Sequence, residues 1–295
     1  MFSKIITTFT LIFTLLLQGF GVRHTPHPEE VRLKAVLIAD IHADADFLRD
    51  RSNTLRQVLA AIGKTQNDAD TLVMAGDLTN SGDLREYLHL YNFLNVYCRI
   101  RDRVPEFGNH DSWHHSDDPD FAKAEKYFRS FCRFNKIKTD TVYYKKTVCG
   151  VPFLVMGVEA GDFGDPYHSD AQFDWLEAEL NAAVAAGEPV FVVCHKPLND
   201  MGDGAARMER ILTSASAGAK APIVYVSGHR HEIGENTFAQ PNENLVYLNL
   251  PSVQYTDDGG LGFVAELTDT ELTLTGMNFF TNEPLEGYTY RIPIG

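Results

Sequence analysis

Eight side chains in five short motifs could together hold two metal ions and deliver one proton. The motifs are Asp40-Ile41-His42, Gly76-Asp77, Gly108-Asn109-His110-Asp111, Cys194-His195 and Gly228-His229-Arg230-His231. The eight are two carboxylates (Asp40, Asp77), one amide (Asn109) and five imidazoles. Imidazole suits Zn, Fe, Mn or Ni, whereas carboxylate and amide oxygens favour harder ions, so the mixed set does not name the metal. Two cations held about 3.5–4 Å apart can clamp a phosphoryl group, activate water and stabilise the attacking and leaving oxygens. A shared carboxylate offsets the repulsion between such ions. A histidine with a pKa near 6.5 can serve as general acid at neutral pH, an effect of about 10²–10⁴-fold.

Each motif follows a strand-like run. Lys34–Ala39 leads into Asp40, Thr71–Ala75 into Gly76, Pro189–Val193 into Cys194, and Pro222–Ser227 into Gly228. Near-continuous runs of β-branched and aromatic residues read as strands buried on both faces. The lead-in Arg103–Phe107 is the weakest, because Pro105 demotes a strand. Carboxyl ends of such strands are where open α/β sheets bind ligands. Gly76, Gly108 and Gly228 let the chain turn sharply and bring backbone close to a bound group. In an extended segment residues i and i+2 point the same way, so Asp40 and His42 can reach one metal, as can His229 and His231.

Taken singly, the motifs have ordinary readings. Asp-x-His is a common loop sequence, Gly-Asp is usually a turn, and a histidine closing a buried strand is more often hydrogen-bonded than ligating. Their order and placement carry the inference, and five of the eleven histidines fall inside them. In this order the motifs resemble those of the calcineurin-like metallophosphoesterases, over about Asp40 to His231. The resemblance implies that Asp40, His42 and His231 bind a first metal, and that Asn109, His195 and His229 bind a second, with Asp77 bridging both. It implies His110 as the general acid that protonates the leaving alkoxide. Asp111 would orient His110, or else serve an ordinary turn or ion-pair role. The cofactors expected are two divalent or trivalent ions, with Mn, Fe or Zn favoured. None of the eight positions is missing, which favours an enzyme over a non-catalytic binding protein that kept metals for stability.

The run Gly76–Gly82 resembles bacterial phosphohydrolases of the cyclic-nucleotide phosphodiesterase-like branch, which favours phosphodiesters over phosphomonoesters. Asn80 stands where purple acid phosphatases carry a tyrosine, and the Asp-Arg-Gly continuation of Ser/Thr protein phosphatases is absent. Trp113 and His114, just after the Asn109-His110 pair, form a candidate substrate wall with Trp113 able to stack a base or sugar. A solvated loop is the competing reading. The Gly- and Ala-rich segment 199–221 is a candidate mobile lid.

Between the motifs, apolar stripes predict helices over Arg51–Ile62 and Asp83–Tyr97. Ser169 and Gln172 suggest a capping box before Phe173, Leu176, Leu180 and Val184, with Gly187 as the stop. After His231 the pattern is of strands alone, at Asn244–Leu250, Gly262–Leu267, Glu271–Phe279 and Gly287–Ile292. Mixed buried strands with helices outside imply a layered α/β sandwich. The resemblance specifies four layers, αββα, with two mixed β-sheets flanked by helices.

The composition, 44% hydrophobic and 22% charged in 295 residues, fits a globular chain with a sizeable core. A net charge of −14 with no basic run disfavours nucleic acid as partner, and the partner that the resemblance implies is a small phosphorylated substrate. Bound metals would invert the local field for that anion. Cys98, Cys132, Cys149 and Cys194 have no metal-type spacing and read as free thiols, with one disulfide as the alternative and Cys194 a buried filler.

Lys4 followed by the apolar stretch Ile5–Leu17 has the length of a signal-peptide core and is short for a membrane span. Residues 1–21 therefore read as a signal peptide, 22–30 as a linker, and 31–295 as a single domain. The expected destination is the periplasm or exterior, without stable membrane insertion after cleavage; an uncleaved membrane anchor is the alternative. Intact-mass measurement of the mature protein should match residues 22–295, and retention of residues 1–21 would overturn cleavage.

Overall fold

The computed structural model describes residues 27–28, 30–46, 50–112, 120–159, 168–255 and 259–295. The signal-peptide and substrate-wall expectations (residues 1–21, Trp113 and His114) lie outside the described residues. In chain order the strands are β1 Leu33–Ile38, β2 Thr71–Met74, β3 Asp102–Pro105, β4 Tyr144–Val148, β5 Val151–Val155, β6 Val190–Val193 and β7 Ile223–Ser227. They continue with β8 Phe238–Asn242, β9 Leu245–Asn249, β10 Leu261–Leu267, β11 Glu271–Asn278 and β12 Glu283–Pro293. The α-helices are α1 Asp50–Thr65, α2 Leu84–Val96, α3 Phe121–Phe134, α4 Asp170–Ala186 and α5 Ala205–Ser216.

The strands form two six-stranded mixed sheets, ordered β12-β11-β10-β1-β2-β3 and β4-β5-β6-β7-β9-β8. The motif-bearing strands are parallel to their motif-bearing neighbours: β1 to β2, β2 to β3, and β6 to β7. Strand β3 ends one sheet, which is where Pro105 can be tolerated. Alternation sorts the side chains of the second sheet. Val224 and Val226 enter a core that includes β1 and β2, while Ile223 and Tyr225 join an outer cluster with Phe173 and Leu176 of α4 and Met208 and Leu212 of α5. Helices therefore cover the outside and the sheets face each other, giving the four-layer sandwich.

Beyond the strand ends the two sheets meet directly. Phe107, past β3, bridges to Gly157, past β5, and Ala39, past β1, bridges to Ser252, past β9. These bridges bring the carboxyl ends of both sheets to one edge of the sandwich, where the motifs lie.

Several local expectations are corrected. Ser169 does accept from Gln172 N at 3.1 Å, but the Gln172 amide turns inward to the backbone of Gly157 rather than completing a capping box. The complete box is at α2: Asp83 accepts from Arg85 N at 2.7 Å, and Glu86 accepts from Asp83 N at 3.3 Å and Ser81 N at 2.9 Å. Segment 199–221, the candidate lid, folds into two 3₁₀ turns and α5, whose Met208, Ile211 and Leu212 are buried. Helix α3, the β4–β5 hairpin and β8 were not anticipated. The hairpin turns through Cys149 and Gly150, both at positive φ. All four cysteines carry free thiols. Among the described residues no helix is long and apolar enough to cross a membrane.

The α2 cap matters because it anchors the loop that begins with Asp77. Replacing Asp83 by Ala should lower the calorimetric thermal midpoint by about 2–4 °C, the effect of losing one N-cap in a chain of this size. An unchanged midpoint would show that the cap does not hold this loop.

Candidate metal centre

The candidate ligands emerge just beyond parallel strand ends and converge. Asp40 Oδ1 lies 3.0 Å from His231 Nε2, 3.8 Å from His195 Nε2 and 3.9 Å from His42 Nε2. Asp77 Oδ2 lies 3.0 Å from His195 Nε2 and 3.8 Å from His42 Nε2. Two groups result: Asp40, His42, Asp77 and His231, and Asp77, His195 and His229. Within each, the ligand atoms lie within 4.8 Å of one another, and Asp77 belongs to both. Asn109 is buried, and its Oδ1 has no hydrogen-bond partner.

The backbone that achieves this is not the extended chain expected. Asp40 (φ 52°), His42 (43°), Asp77 (47°), His229 (73°) and His231 (61°) are all left-handed. Asp and His are among the residues that tolerate this region, at a cost of about 1–3 kcal/mol each, and such strain collects where the surroundings over-determine it. The alternation rule therefore fails locally. Asp40 and His42 do share a group, but His229 and His231 diverge to different ones. The motif glycines also leave room for neighbouring protein groups. Gly76 alone of the three motif glycines has positive φ (77°), and a Cβ there would lie 2.5 Å from the His195 ring. A Cβ at Gly228 would lie 2.6 Å from Asp40 Oδ2.

The donor set fits cations. The Nε2 atoms of His42 and His231 face each other at 3.3 Å, and one of them must carry a proton or both must meet a positive ion. His195 donates from Nδ1 to the Ala75 carbonyl at 2.8 Å, which aims its buried Nε2 at the carboxylates. A carbonyl on the far ring nitrogen is the usual way a protein orients a ligating histidine. Burial holds the His42 imidazole down to about 4. The His229 imidazole is also held at about 4, by burial together with the charges of His195 and Lys196. Both are therefore neutral, the form that ligates. At His195 burial works in the same direction, but Asp77 and Asp40 overcome it and lift the ring to about 10. Burial opposes ionisation of Asp77 as well, yet His195 and His42 keep that carboxyl well below its usual range. The two carboxylates thus demand positive charge at His195 Nε2, and a proton and a metal compete for that position.

His110 lies at the rim of this cluster. Its backbone N donates to Asp77 Oδ1 at 2.9 Å, its Nδ1 lies 3.1 Å from the Asn80 carbonyl, and its ring meets His42 edge-on at 4.5 Å. With Nδ1 donating to a carbonyl, Nε2 is the atom left to carry a transferable proton.

Of the two roles expected for Asp111, its contacts are those of a residue that braces the turn. Its carboxylate is fully buried and accepts from Leu78 N and Gly108 N through Oδ2, at 3.0 Å each. Through Oδ1 it accepts from Thr79 N, Thr79 Oγ1 and the Tyr87 hydroxyl at 2.9, 2.7 and 3.1 Å. It fastens the Asp77 loop, the Asn109 loop and α2 together. Burial and the neighbouring Asp77 charge still push its carboxyl up to about 6.

Three further residues belong to the surroundings. Glu106 is fully buried beside His195, and burial pushes its carboxyl well above the usual range. Its sequence signal was an acid inside an apolar run. Tyr255 stacks on the His231 ring at 5.0 Å, meets His42 edge-on at 4.9 Å, and carries the Arg51 guanidinium 4.7 Å above its own ring. Tyr255 follows β9, another strand end, and that position was its only sequence signal. A cavity of about 330 Å³ lies behind the Arg230 loop, lined in part by Tyr225, Tyr247, Asn249 and Phe238.

Asp111→Asn tests the fastening. The new amide must set an NH₂ against backbone donors on one side, which should destabilise the protein by about 1–3 kcal/mol per stranded group. Chemical denaturation and metal analysis should show lower stability and lower metal content together. Retained stability would remove Asp111 from this role.

No curated protein sequence matches the chain. Its fold is similar to a dimetal phosphatase from Danio rerio, with 14% identity and a TM-score of 0.61 over 90% of this chain and 100% of that one. It is also similar to a purple acid phosphatase from yellow lupin seeds, with 13% identity and a TM-score of 0.63 over 91% of this chain and 55% of that one. A 5'-nucleotidase from Candida albicans follows, with 14% identity and a TM-score of 0.51 over 92% and 53%. Residues 33–232 match the calcineurin-like phosphoesterase family. That match spans all five motifs and more than half of the sequence, and the chain belongs to this family.

Proposed function

We propose that this chain is a dinuclear metal-dependent phosphoesterase in which His110 is the general acid. The observation that carries the reading is the convergence of Asp40, His42, His231, His195 and His229 on Asp77, whose carboxylate is common to both groups. Asp40, His42, Asp77 and His231 would hold one ion, and Asp77, Asn109, His195 and His229 the other. The chemistry that such a pair supplies when bound is polarisation of a phosphoryl oxygen and acidification of a water. The protein's own part is positional. Ala75 fixes the His195 tautomer, and the Asn80 carbonyl fixes that of His110, so that a proton can pass from His110 Nε2 to a departing alkoxide.

Substrate choice falls to the rim. The Gly76–Gly82 run that favoured phosphodiesters is occupied with bracing: Thr79 binds Asp111 and Gly82, Asn80 binds His110, and Ser81 binds Glu86. A better-placed candidate is the Tyr255–Arg51 pair, which offers an aromatic face and a positive charge beside His231. Together they suit an ester with a planar or anionic second substituent, and diesters remain the favoured class. The substrate would be a small phosphorylated molecule met after export.

One preparation tests the reading. With metal restored after chelation, a phosphomonoester and a phosphodiester of the same aryl alcohol should both turn over, the diester faster. His110→Ala should retain both ions but lose about 10²–10⁴-fold in rate on esters with poor leaving groups, and less on activated aryl esters. Loss of metal from that variant would make His110 a ligand, and absence of any turnover in the wild type would favour a binding protein.

A further inference from the structure

One cationic side chain penetrates the centre alongside the candidate ligands. Lys196 directly follows His195, and only 2% of its surface is exposed. Such burial is unfavourable for an ammonium without a partner. Its Nζ lies 3.0 Å from Nε2 of His229. The Lys196 carbonyl accepts the Tyr225 hydroxyl at 2.5 Å, which pins the backbone at this position.

The contact has a consequence for His229. A neutral imidazole has one N–H and one lone pair. When the Lys196 ammonium donates to Nε2, it takes the lone pair, and the ring proton must sit on Nδ1. Neither nitrogen then remains for a cation. Ligation by His229 through either nitrogen requires Lys196 to stop donating. Asp200 offers the released ammonium an acceptor. It is ion-paired to Arg230 at 2.8 Å, and its carboxyl, against the effect of partial burial, is held below the usual range by Arg230, His229 and Lys196.

We propose that Lys196 is an intramolecular competitor for the second metal. It satisfies the His229 lone pair until an ion displaces it, so that the site containing His229 binds more weakly than the site containing His231. The inference rests on the reading of His229 as a ligand. It makes occupancy of the second site, and hence activity, depend on the concentration of available metal. None of the eight ligand and acid positions encodes this property.

Calorimetric titration with Mn²⁺ of the full-length chain, stripped of metal by chelation, is the test. The wild type should bind two ions in separated steps. Lys196→Met and Lys196→Gln should tighten the weaker step by about tenfold or more, the equivalent of one charge-assisted hydrogen bond, and leave the tighter step unchanged. Lys196→Arg should keep the weak step. Asp200→Asn should weaken that step further, and this effect should vanish in the Lys196→Met background. Circular dichroism of each variant checks folding. A second step that His229→Ala removes but Lys196→Met and Lys196→Gln leave untouched would overturn the competitor role alone. A second step missing from both the wild type and Lys196→Met would overturn that role together with the dinuclear reading.

Discussion

Two carboxylates, Asp40 and Asp77, share one water-poor pocket, and most of the local structure is a response to that fact. Both are fully buried, and both lie within 4 Å of the same His195 nitrogen. Carboxylates desolvated together repel and tend to take up protons unless positive charge is placed between them. Five imidazoles and an ammonium surround the pair, and backbone N–H groups complete the shell. His229 N reaches both oxygens of Asp40, and His110 N reaches Asp77. Protons and metal ions compete for a site so constructed, and its metal affinity must therefore fall as pH falls.

The left-handed backbone follows from the same demand. Strands deliver side chains at alternating faces, but two groups of ligands must point inward from loops only a few residues long. Reversing φ at the ligand residue swings its side chain back over the strand end, while the neighbouring amide turns to a carboxylate. That conformation is unfavourable for each residue, so the loops need external anchoring. Asp111 ties two of them to α2, Ser252 donates to the Asp40 carbonyl at 3.0 Å, and His42 N donates to the Asp77 carbonyl at 2.8 Å. The anchors are themselves buried, which places a polar network beneath the centre in which each member depends on the others.

How much of this was legible depended on whether a signal was local. The parallel strands could be read because apolar runs in a two-faced sheet are nearly unbroken, and α1 because Leu55, Val58, Leu59 and Ile62 repeat at helical spacing. Helix α2 is buried more broadly than a stripe, with Leu90 and Phe93 covered as well as Tyr87, because α3 packs beside it. Helix α3 went unread although Phe121, Phe128 and Phe131 mark it, since its apolar positions are diluted by Lys and Arg. The site's chemistry was legible through residue type and order. Its geometry was not, because left-handed φ at Asp or His leaves no mark in composition. The role of Asp111 was hidden for a related reason: four of its five donors lie at Leu78, Thr79 and Tyr87, far from it along the chain.

Specificity must then be sought in residues that the centre does not consume. Asp40, Asp77, the candidate ligand histidines and the Gly76–Gly82 loop are committed to one another by hydrogen bonds and close contacts, so changing any of them would disturb the candidate centre itself. Tyr255 and Arg51 are different. Tyr255 is 38% exposed, and among the described residues neither its hydroxyl nor the Arg51 guanidinium braces a candidate ligand loop. Lys196 sits between these classes, buried like a structural residue but charged like a substrate contact. Under the proposed reading, varying Tyr255 and Arg51 would change the ester and leave the reaction, whereas varying Lys196 would change the metal requirement and leave both.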